Sequence, residues 1–356
     1  MRHKNLLIIV TGAVFGFFGA MLVKYGNPAN MGYCIACFLR DITGGLGLHR
    51  AGVVQYIRPE IIGLVLGAFV AALFGREFKS RGGSAPTIRF VLGMLMMIGA
   101  LMFLGCPLRG ILRFAGGDLN GLVGLLGLVA GILVGTEFLK RGYNLGKATV
   151  SQSRAGGLVL PVITLILLVL LVAAPVFNAD AGGPIFFSTE GPGSQHAPLL
   201  LGLIAGLAGG SLAQRTRLCL SGGIRDFYLI RDTYLLKGFG LIFVVALLLN
   251  LLYGQFNLGF TGQPIAHNWH LWNFLGLFLV GLTAVLLGGC PLRQLILSGE
   301  GDLDAGITVL GMIAGAAVAH NFMLASSGAG PTVFGQYAVV IGILIALTIG
   351  WVCREV

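Results

Sequence analysis

The sequence predicts an all-α polytopic membrane protein built as an inverted repeat of about five-helix units. The chain is 56% hydrophobic and only 10% charged, whereas a soluble domain carries about 25% charged residues. Apolar runs of about 18 residues recur along it, and runs of that length are typical of bilayer-spanning helices. A pair of cysteine motifs occurs twice at nearly the same interval, which indicates a duplicated unit of about 180 residues.

The apolar runs predict ten spanning helices, and the glycines predict how these helices pack. Gly accounts for 58 residues, and patterns such as Gly63-x-x-x-Gly67 and Gly127-x-x-x-Gly131 let helix backbones approach closely in a membrane. The predicted spans are 6–23, 59–75, 88–104, 120–138, 158–176, 198–213, 236–253, 272–288, 303–319 and 336–352.

The duplicated motif is Gly-Cys-Pro-Leu-Arg, at residues 105–109 and again at 289–293. An earlier motif precedes each copy, in which a cysteine is followed seven residues later by the aspartate of an Arg-Asp pair. These earlier motifs are Cys34 with Arg40-Asp41, and Cys219 with Arg225-Asp226. The same order and spacing in both halves indicate two copies of one unit.

Counting spans predicts that the two copies are inverted. Each copy contains four spans, and a fifth, near 158–176, lies between them, so the second copy enters the membrane from the opposite side. We predict a first repeat unit over 1–156, a linking helix and outside loop over 157–197, and a second unit over 198–356. In inverted repeats, broken segments of both halves meet near the membrane midplane and form the site there.

Positive charges predict the orientation of the chain. The segments 177–197, 254–271 and 320–335 contain no Lys or Arg, which indicates that they lie outside and that both termini are cytoplasmic. The net charge of +10 is explained by this topology, so we expect no nucleic-acid partner. The segment 24–58 would also lie outside, yet it holds Lys24, Arg40, Arg50 and Arg58. We therefore expect that some of these are not ordinary loop charges.

The Gly-Cys-Pro-Leu-Arg motifs predict short helices that begin inside the membrane. Proline is favoured at the first helical position and pushes the preceding residue out of helical conformation. Cys106 and Cys290 are therefore expected to cap helices that start at Pro107 and Pro291. About nine helical residues span roughly 13 Å, less than half of a bilayer core. Free N–H groups at such a helix end, with a nearby arginine, favour thiolate character.

This combination suits a small anion that carries a soft atom, sulfur or selenium, beside charged oxygens. Thiols are weak hydrogen-bond donors, and loose binding favours passage from site to site. The predicted substrate-binding or relay residues are Cys34, Cys106, Cys219, Cys290, Arg40, Arg109, Arg225 and Arg293, with Cys37, Asp41 and Asp226 as secondary candidates. We expect the repeated aspartates, which include Asp118 and Asp302, to pair with arginines or cap helices rather than to relay protons.

The Cys34-x-x-Cys37 spacing leaves other interpretations open. It could be a redox dithiol or half of a metal site, although Ser221 and Gly222 stand near the matching place in the second unit. A membrane thiol enzyme is therefore the alternative class. The chain has no Walker A, G-x-G-x-x-G or HExxH motif. We accordingly expect no cofactor, no metal and no catalytic residue, and a transporter rather than an enzyme.

Taken together, these motifs resemble those of the YeeE/YedE family of sulfur-transport membrane proteins, over essentially the whole chain. The resemblance implies thiosulfate uptake across the bacterial inner membrane through an hourglass-shaped inverted repeat. Cysteines on its central line would relay the ion by weak S–H···S contacts. The relay cysteines here would be Cys34, Cys106 and Cys290, with Cys219 as the repeat mate of Cys34.

The run from Asn27 to Asp41 is most similar to the selenium-metabolism branch of that family, YedE/FdhT. This branch implies a selenium-utilising bacterium and a small cytoplasmic TusA-like sulfur carrier as a partner. Cys37 stands where the thiosulfate pattern usually has a small residue. The expected substrate is therefore either thiosulfate or a selenium analogue.

Overall fold

The computed structural model describes residues 2–179 and 182–354, and this part of the chain is mostly helical. The side chain of Arg2, one of the charges predicted inside, lies outside the described set. In chain order the helices are α1 Arg2–Lys24, α2 Ile35–Gly45, α3 Pro59–Phe74, α4 Pro86–Phe103, α5 Pro107–Ala115, α6 Leu119–Lys140, α7 Ala155–Val172, α8 Ala174–Phe177, α9 Gly191–Ser194, α10 Leu199–Thr216, α11 Leu220–Ile230, α12 Tyr234–Leu252, α13 His270–Leu286, α14 Pro291–Gly299, α15 Leu303–Asn321 and α16 Val333–Val352.

Each of the ten predicted spans coincides with one of the long helices, with ends within four residues of those predicted. Within the described residues, nine helical segments are long and apolar enough to cross a membrane, and Pro59–Phe74 is a shorter apolar helix. The two strands, β1 Arg81–Gly82 and β2 Thr149–Val150, form one short antiparallel pair between loops. The chain is therefore an all-α multi-pass membrane protein.

Four short helices, α2, α5, α11 and α14, each begin directly after a cysteine of the repeated motifs. The prediction for Pro107–Ala115 and Pro291–Gly299 is confirmed, because both helices have nine residues and proline at their first position. Cys106 and Cys290 cap them in extended backbone conformation, as the residue before a proline requires. All four short helices therefore present their N-termini, with free N–H groups, at a cysteine.

The long helices pack reciprocally between the two halves of the chain. In sequence order α1 corresponds to α10, α3 to α12, α4 to α13 and α6 to α15. The most extensive packing joins α6 to α13 and α3 to α10. The next most extensive joins their repeat equivalents, α15 to α4 and α12 to α1. The halves are therefore interlocked rather than separate domains, and the short helices lie among the long ones.

Glycines mark the closest helix crossings, as the sequence predicts. A Cβ on Gly127 or Gly131 of α6 would lie 2.0 Å from the backbone oxygen of Phe274 or Phe278 on α13. Gly67 of α3 contacts α10 in the same way, since a Cβ there would lie 2.3 Å from the Leu207 oxygen. Only a residue without a side chain permits such backbone approach, so these glycines fix the spacing of the central helices.

Candidate functional site

Three cysteines meet at the N-termini of α2 and α5, and we call them the first thiol cluster: Cys34, Cys37 and Cys106. The Cys34 and Cys37 sulfurs are 2.7 Å apart, and the Cys34 and Cys106 thiols are within interaction distance. None of the three side chains is more than 1% exposed. Two half-helices thus bring together thiols that lie far apart in the sequence.

Backbone N–H groups point at the sulfurs of this cluster. The Cys37 N–H donates to the Cys34 sulfur at 3.2 Å, and the N–H groups of Arg109 and Ala36 interact with the Cys106 sulfur. Helix N-termini carry partial positive charge and unsatisfied donors. The helix ends therefore offer hydrogen-bond donors and partial positive charge to a bound anion.

The second half of the chain forms a corresponding second thiol cluster, which consists of Cys219, Cys290 and the hydroxyl of Ser221. The Cys219 sulfur is 3.8 Å from that of Cys290 and 3.2 Å from the Ser221 oxygen. The Gly222 N–H donates to Cys219 at 3.3 Å, and the Arg293 and Leu220 N–H groups interact with Cys290. Both halves thus place thiols between two helix N-termini, but only the first has a third thiol.

Arg109 is completely buried beside the first thiol cluster and bonds neutral groups. Its guanidinium donates to the backbone oxygens of Asn30 at 3.0 Å and Ile265 at 3.1 Å. It also donates to the Leu104 oxygen and lies 3.5 Å from the Cys37 sulfur. Among the described residues no carboxylate lies within ion-pair distance of Arg109. Its positive charge is therefore not neutralised by this part of the chain.

Arg40 and Arg58 share a single buried carboxylate, that of Asp41. Each of the two guanidinium groups lies 2.7 Å from an Asp41 oxygen, with side chains at most 4% exposed. Nearby, Arg113 pairs with Asp118 at 2.6 Å, and Asp118 caps α6. The first half of the chain therefore buries four guanidinium groups near the thiols: Arg40, Arg58, Arg109 and Arg113. Asp41 and Asp118 pair with three of these groups, and the buried Glu60 carboxyl also interacts with Arg58. Arg109 remains without a carboxylate partner among the described residues, and its positive charge suits an anion.

The matching arginines of the second half are differently placed. Arg293 pairs with Glu300 at 3.0 Å, although it occupies the position of Arg109 in the repeated motif. Arg225 pairs with Asp226 at 2.8 Å, and both side chains are close to 30% exposed. The structure therefore brings Arg109 to the thiols, whereas the Arg225 and Arg293 guanidinium groups bond carboxylates. All four repeated aspartates pair with an arginine, since Asp302 caps a helix and pairs with Arg81.

A cavity of about 570 Å³ leads toward the first thiol cluster from the face formed by the segments predicted outside. Arg40 and Leu104 line it together with loop residues such as Pro192, Ile265 and Ser327. The Leu104 oxygen is 3.8 Å from the Cys37 sulfur. Cys37 thus contacts a residue of the cavity wall without lining the cavity itself.

Sequence reasoning missed His49 and His320, whose rings stack beside Arg40 with centroids 4.6 Å apart. The His49 Nε2 lies 3.0 Å from the Arg40 backbone oxygen, and its Nδ1 accepts the Ala51 N–H at 3.3 Å. Burial, and then the charge of Arg40, lower the pKa of His49 below its ordinary value. The ring is therefore neutral at pH 7 and ties the end of α2 to the next loop.

Arg58 was noticed only as a charge that disagreed with the predicted topology. Its complete burial against Asp41 explains the disagreement, because the charge belongs to the interior and not to a loop surface. A charged residue that violates the positive-inside pattern was thus the sequence signal for this site.

In the described residues, no group of three or more His, Cys, Asp or Glu side chains is arranged to hold a metal ion.

Comparison with known proteins bears mainly on the second half of the chain. Residues 215–351 match the family described as Sulphur transport. The chain is also 30% identical over 112 residues to the thiosulfate transporter TsuA of Escherichia coli strain K12. That alignment spans 31% of this chain and 31% of the relative. These matches show that part of the chain, and residues 215–351 in particular, is similar to sulphur-transport proteins.

Proposed function

We propose that the chain is an inner-membrane permease for a small sulfur- or selenium-containing anion, either thiosulfate or a selenium analogue. The relative TsuA is a thiosulfate transporter, and the matched family is one of sulphur transport. The observation that carries the proposal is the buried excess of positive charge around three thiols and two helix N-termini. Such a site suits an anion whose other end is a polarisable atom.

In this proposal the anion moves from the cavity past the first thiol cluster to the second. Backbone N–H groups and the Arg109 guanidinium attract its oxygens, while thiols donate weak hydrogen bonds to its sulfur or selenium. Cys34, Cys106 and Cys290 act as relay donors, and Cys219 accompanies Cys290. Arg40, which lines the cavity, keeps the electrostatic potential there positive. Arg225 and Arg293 hold their helices in place by pairing with acids.

The proposal includes an inverted arrangement of the two units, 1–156 and 198–356, joined by 157–197. Reciprocal packing of equivalent long helices supports a two-fold relation between the units. The five spans that precede the second unit, four in the first unit and one between the units, support an axis in the membrane plane. The basic loops support cytoplasmic termini and a cytoplasmic TusA-like carrier as a partner for the delivered sulfur.

The first experiment is uptake of labelled substrate by a sulfur-auxotrophic bacterium that expresses the chain, with thiosulfate, selenite and selenosulfate offered separately. Cys106→Ala and Cys290→Ala should abolish uptake, because each removes a donor on the path. Cys353→Ala is the matched control, since this half-buried cysteine follows α16 away from both clusters. Wild-type uptake by Cys106→Ala and Cys290→Ala would contradict the relay.

A membrane thiol protein that processes sulfur or selenium is the second candidate, favoured by the 2.7 Å approach of Cys34 and Cys37. Such chemistry needs both thiols of the pair. Cys37→Ser should therefore abolish function if the chain is a thiol enzyme, whereas the permease should keep its uptake. Uptake by Cys37→Ser thus separates the two candidates.

A further inference from the structure

The thiol pair of Cys34 and Cys37 breaks the symmetry of the two units. Cys34 and Cys219 occupy the same motif position, and each caps a short helix through its sulfur. Three residues later the first unit has Cys37, whereas the second has Gly222. The relay of the proposed function needs one thiol at this helix end, so the second thiol requires another explanation.

The geometry of the pair suits a disulfide. Cys34 is the N-cap and Cys37 the third helical residue of α2, and side chains at these two positions face each other. Their sulfurs are 2.7 Å apart, and the Cys37 N–H donates to the Cys34 sulfur. Burial opposes the thiolate that starts thiol–disulfide exchange, and the Arg109 guanidinium, 3.5 Å from the Cys37 sulfur, offsets part of this cost.

We propose that Cys34 and Cys37 form a reversible disulfide that closes the transport path under oxidising conditions. This proposal rests on the proposed function, because it assigns Cys34 a thiol role in transport. A disulfide has no S–H group, so an oxidised Cys34 cannot donate a hydrogen bond to the substrate. The second unit has no cysteine at the position of Cys37, and its two thiols, Cys219 and Cys290, lie on different helices with sulfurs 3.8 Å apart.

The cavity brings a small oxidant close to the pair. Both thiols are fully buried, but the Leu104 oxygen on the cavity wall lies 3.8 Å from the Cys37 sulfur. Arg40 also lines this cavity and favours a negatively charged oxidant. The oxidant class is a small anionic disulfide or polythionate, and tetrathionate, the oxidised dimer of thiosulfate, is its simplest probe.

The reaction balances as two successive displacements. One thiolate of the pair attacks a central sulfur of tetrathionate, forms an S–S bond and releases one thiosulfate. The other thiolate then attacks the modified cysteine, forms the Cys34–Cys37 bond and releases a second thiosulfate. The two thiols lose two protons and two electrons, and tetrathionate takes up the electrons. A dithiol reductant reverses the change.

The experiment uses the full chain in proteoliposomes, with Cys353→Ser as the background. Vesicles are oxidised with tetrathionate or, separately, with copper–phenanthroline and dissolved oxygen, which pairs neighbouring thiols without leaving an adduct. The oxidant is removed and thiosulfate uptake is measured before and after dithiothreitol. Peptide mass spectrometry identifies which cysteines have lost two hydrogens.

We expect oxidation to link Cys34 to Cys37, to reduce uptake to the level of empty vesicles, and to be reversed by dithiothreitol. After copper–phenanthroline, Cys37→Ser should keep whatever uptake it shows before oxidation. The switch would be excluded by a chain that forms no Cys34–Cys37 disulfide with either oxidant, or by oxidised vesicles that still take up thiosulfate. Equal inactivation of Cys37→Ser would also exclude it.

The readouts keep this inference distinct from the permease proposal. The disulfide is detected by mass, independently of any uptake. A reduced background chain that takes up none of thiosulfate, selenite or selenosulfate would contradict the permease and, with it, the gating role. A transporting chain whose disulfide does not form would contradict only the switch.

Discussion

Asp41 and Asp226 follow the same Arg-Asp motif, yet their environments differ. Asp41 is fully buried and accepts hydrogen bonds from both Arg40 and Arg58. Asp226 is 28% exposed and pairs with Arg225 alone. Removing the partner of a buried charge destabilises the fold far more than removing the partner of an exposed charge. Equivalent residues of the repeat therefore have different energetic roles.

The first prediction compares Asp41→Asn with Asp226→Asn. Asp41→Asn leaves two buried guanidinium groups without a carboxylate and should destabilise the fold by about 3–5 kcal/mol. Asp226→Asn should cost about 0–1 kcal/mol, because its pair is solvated. Thermal unfolding in detergent measures the difference. Equal melting temperatures for the two variants would show that the Asp41 pairs add little to stability.

Helix crossings are set by the absence of side chains at a few glycines. The α6–α13 crossing places the Phe274 backbone oxygen where a Cβ of Gly127 would lie. Gly240 of α12 is the useful contrast, because a Cβ there would meet nothing within 4 Å. The two positions differ in packing, although both are helical glycines in apolar helices.

Gly127→Ala should therefore separate α6 from α13 and lower the yield of folded protein. Gly240→Ala should be neutral or slightly stabilising, because alanine favours helix by about 1 kcal/mol relative to glycine. Size-exclusion chromatography of the two variants in detergent gives the folded fraction of each. A normal yield for Gly127→Ala would mean that the crossing adjusts without loss.

At the scale of the whole molecule, the predicted orientation places 177–197 outside and the segment before α7 inside. Thr189 and Gln152 are exposed representatives of these two segments. In a Cys353→Ser background, Thr189→Cys should react with an impermeant maleimide on intact spheroplasts. Gln152→Cys should react only after the membrane is opened. Labelling in the reverse order would mean that the predicted topology is inverted and that the large cavity opens to the cytoplasm.

The reciprocal packing of the halves also explains why single motifs gave an incomplete account of the site. Arg109 of the first half donates to the Ile265 oxygen of the second, and the cavity is lined by residues of both. Such contacts join positions more than 100 residues apart, and a local pattern carries no information about them. The sequence predicted which residues are special but not which of them meet.

The sequence by itself determined the membrane class, the ten long helices and the cysteine caps of the short helices Pro107–Ala115 and Pro291–Gly299. These features follow from local physics, because a spanning helix needs a long apolar run and proline sets where a short helix begins. Only the tertiary structure decided that Arg109 lies at the thiols while Arg293 bonds Glu300. It also decided that Arg58 shares Asp41 and that a cavity wall lies next to Cys37. These outcomes depend on how interlocked helices place distant charges, because a buried charge is stabilised by whichever partners the packing brings near.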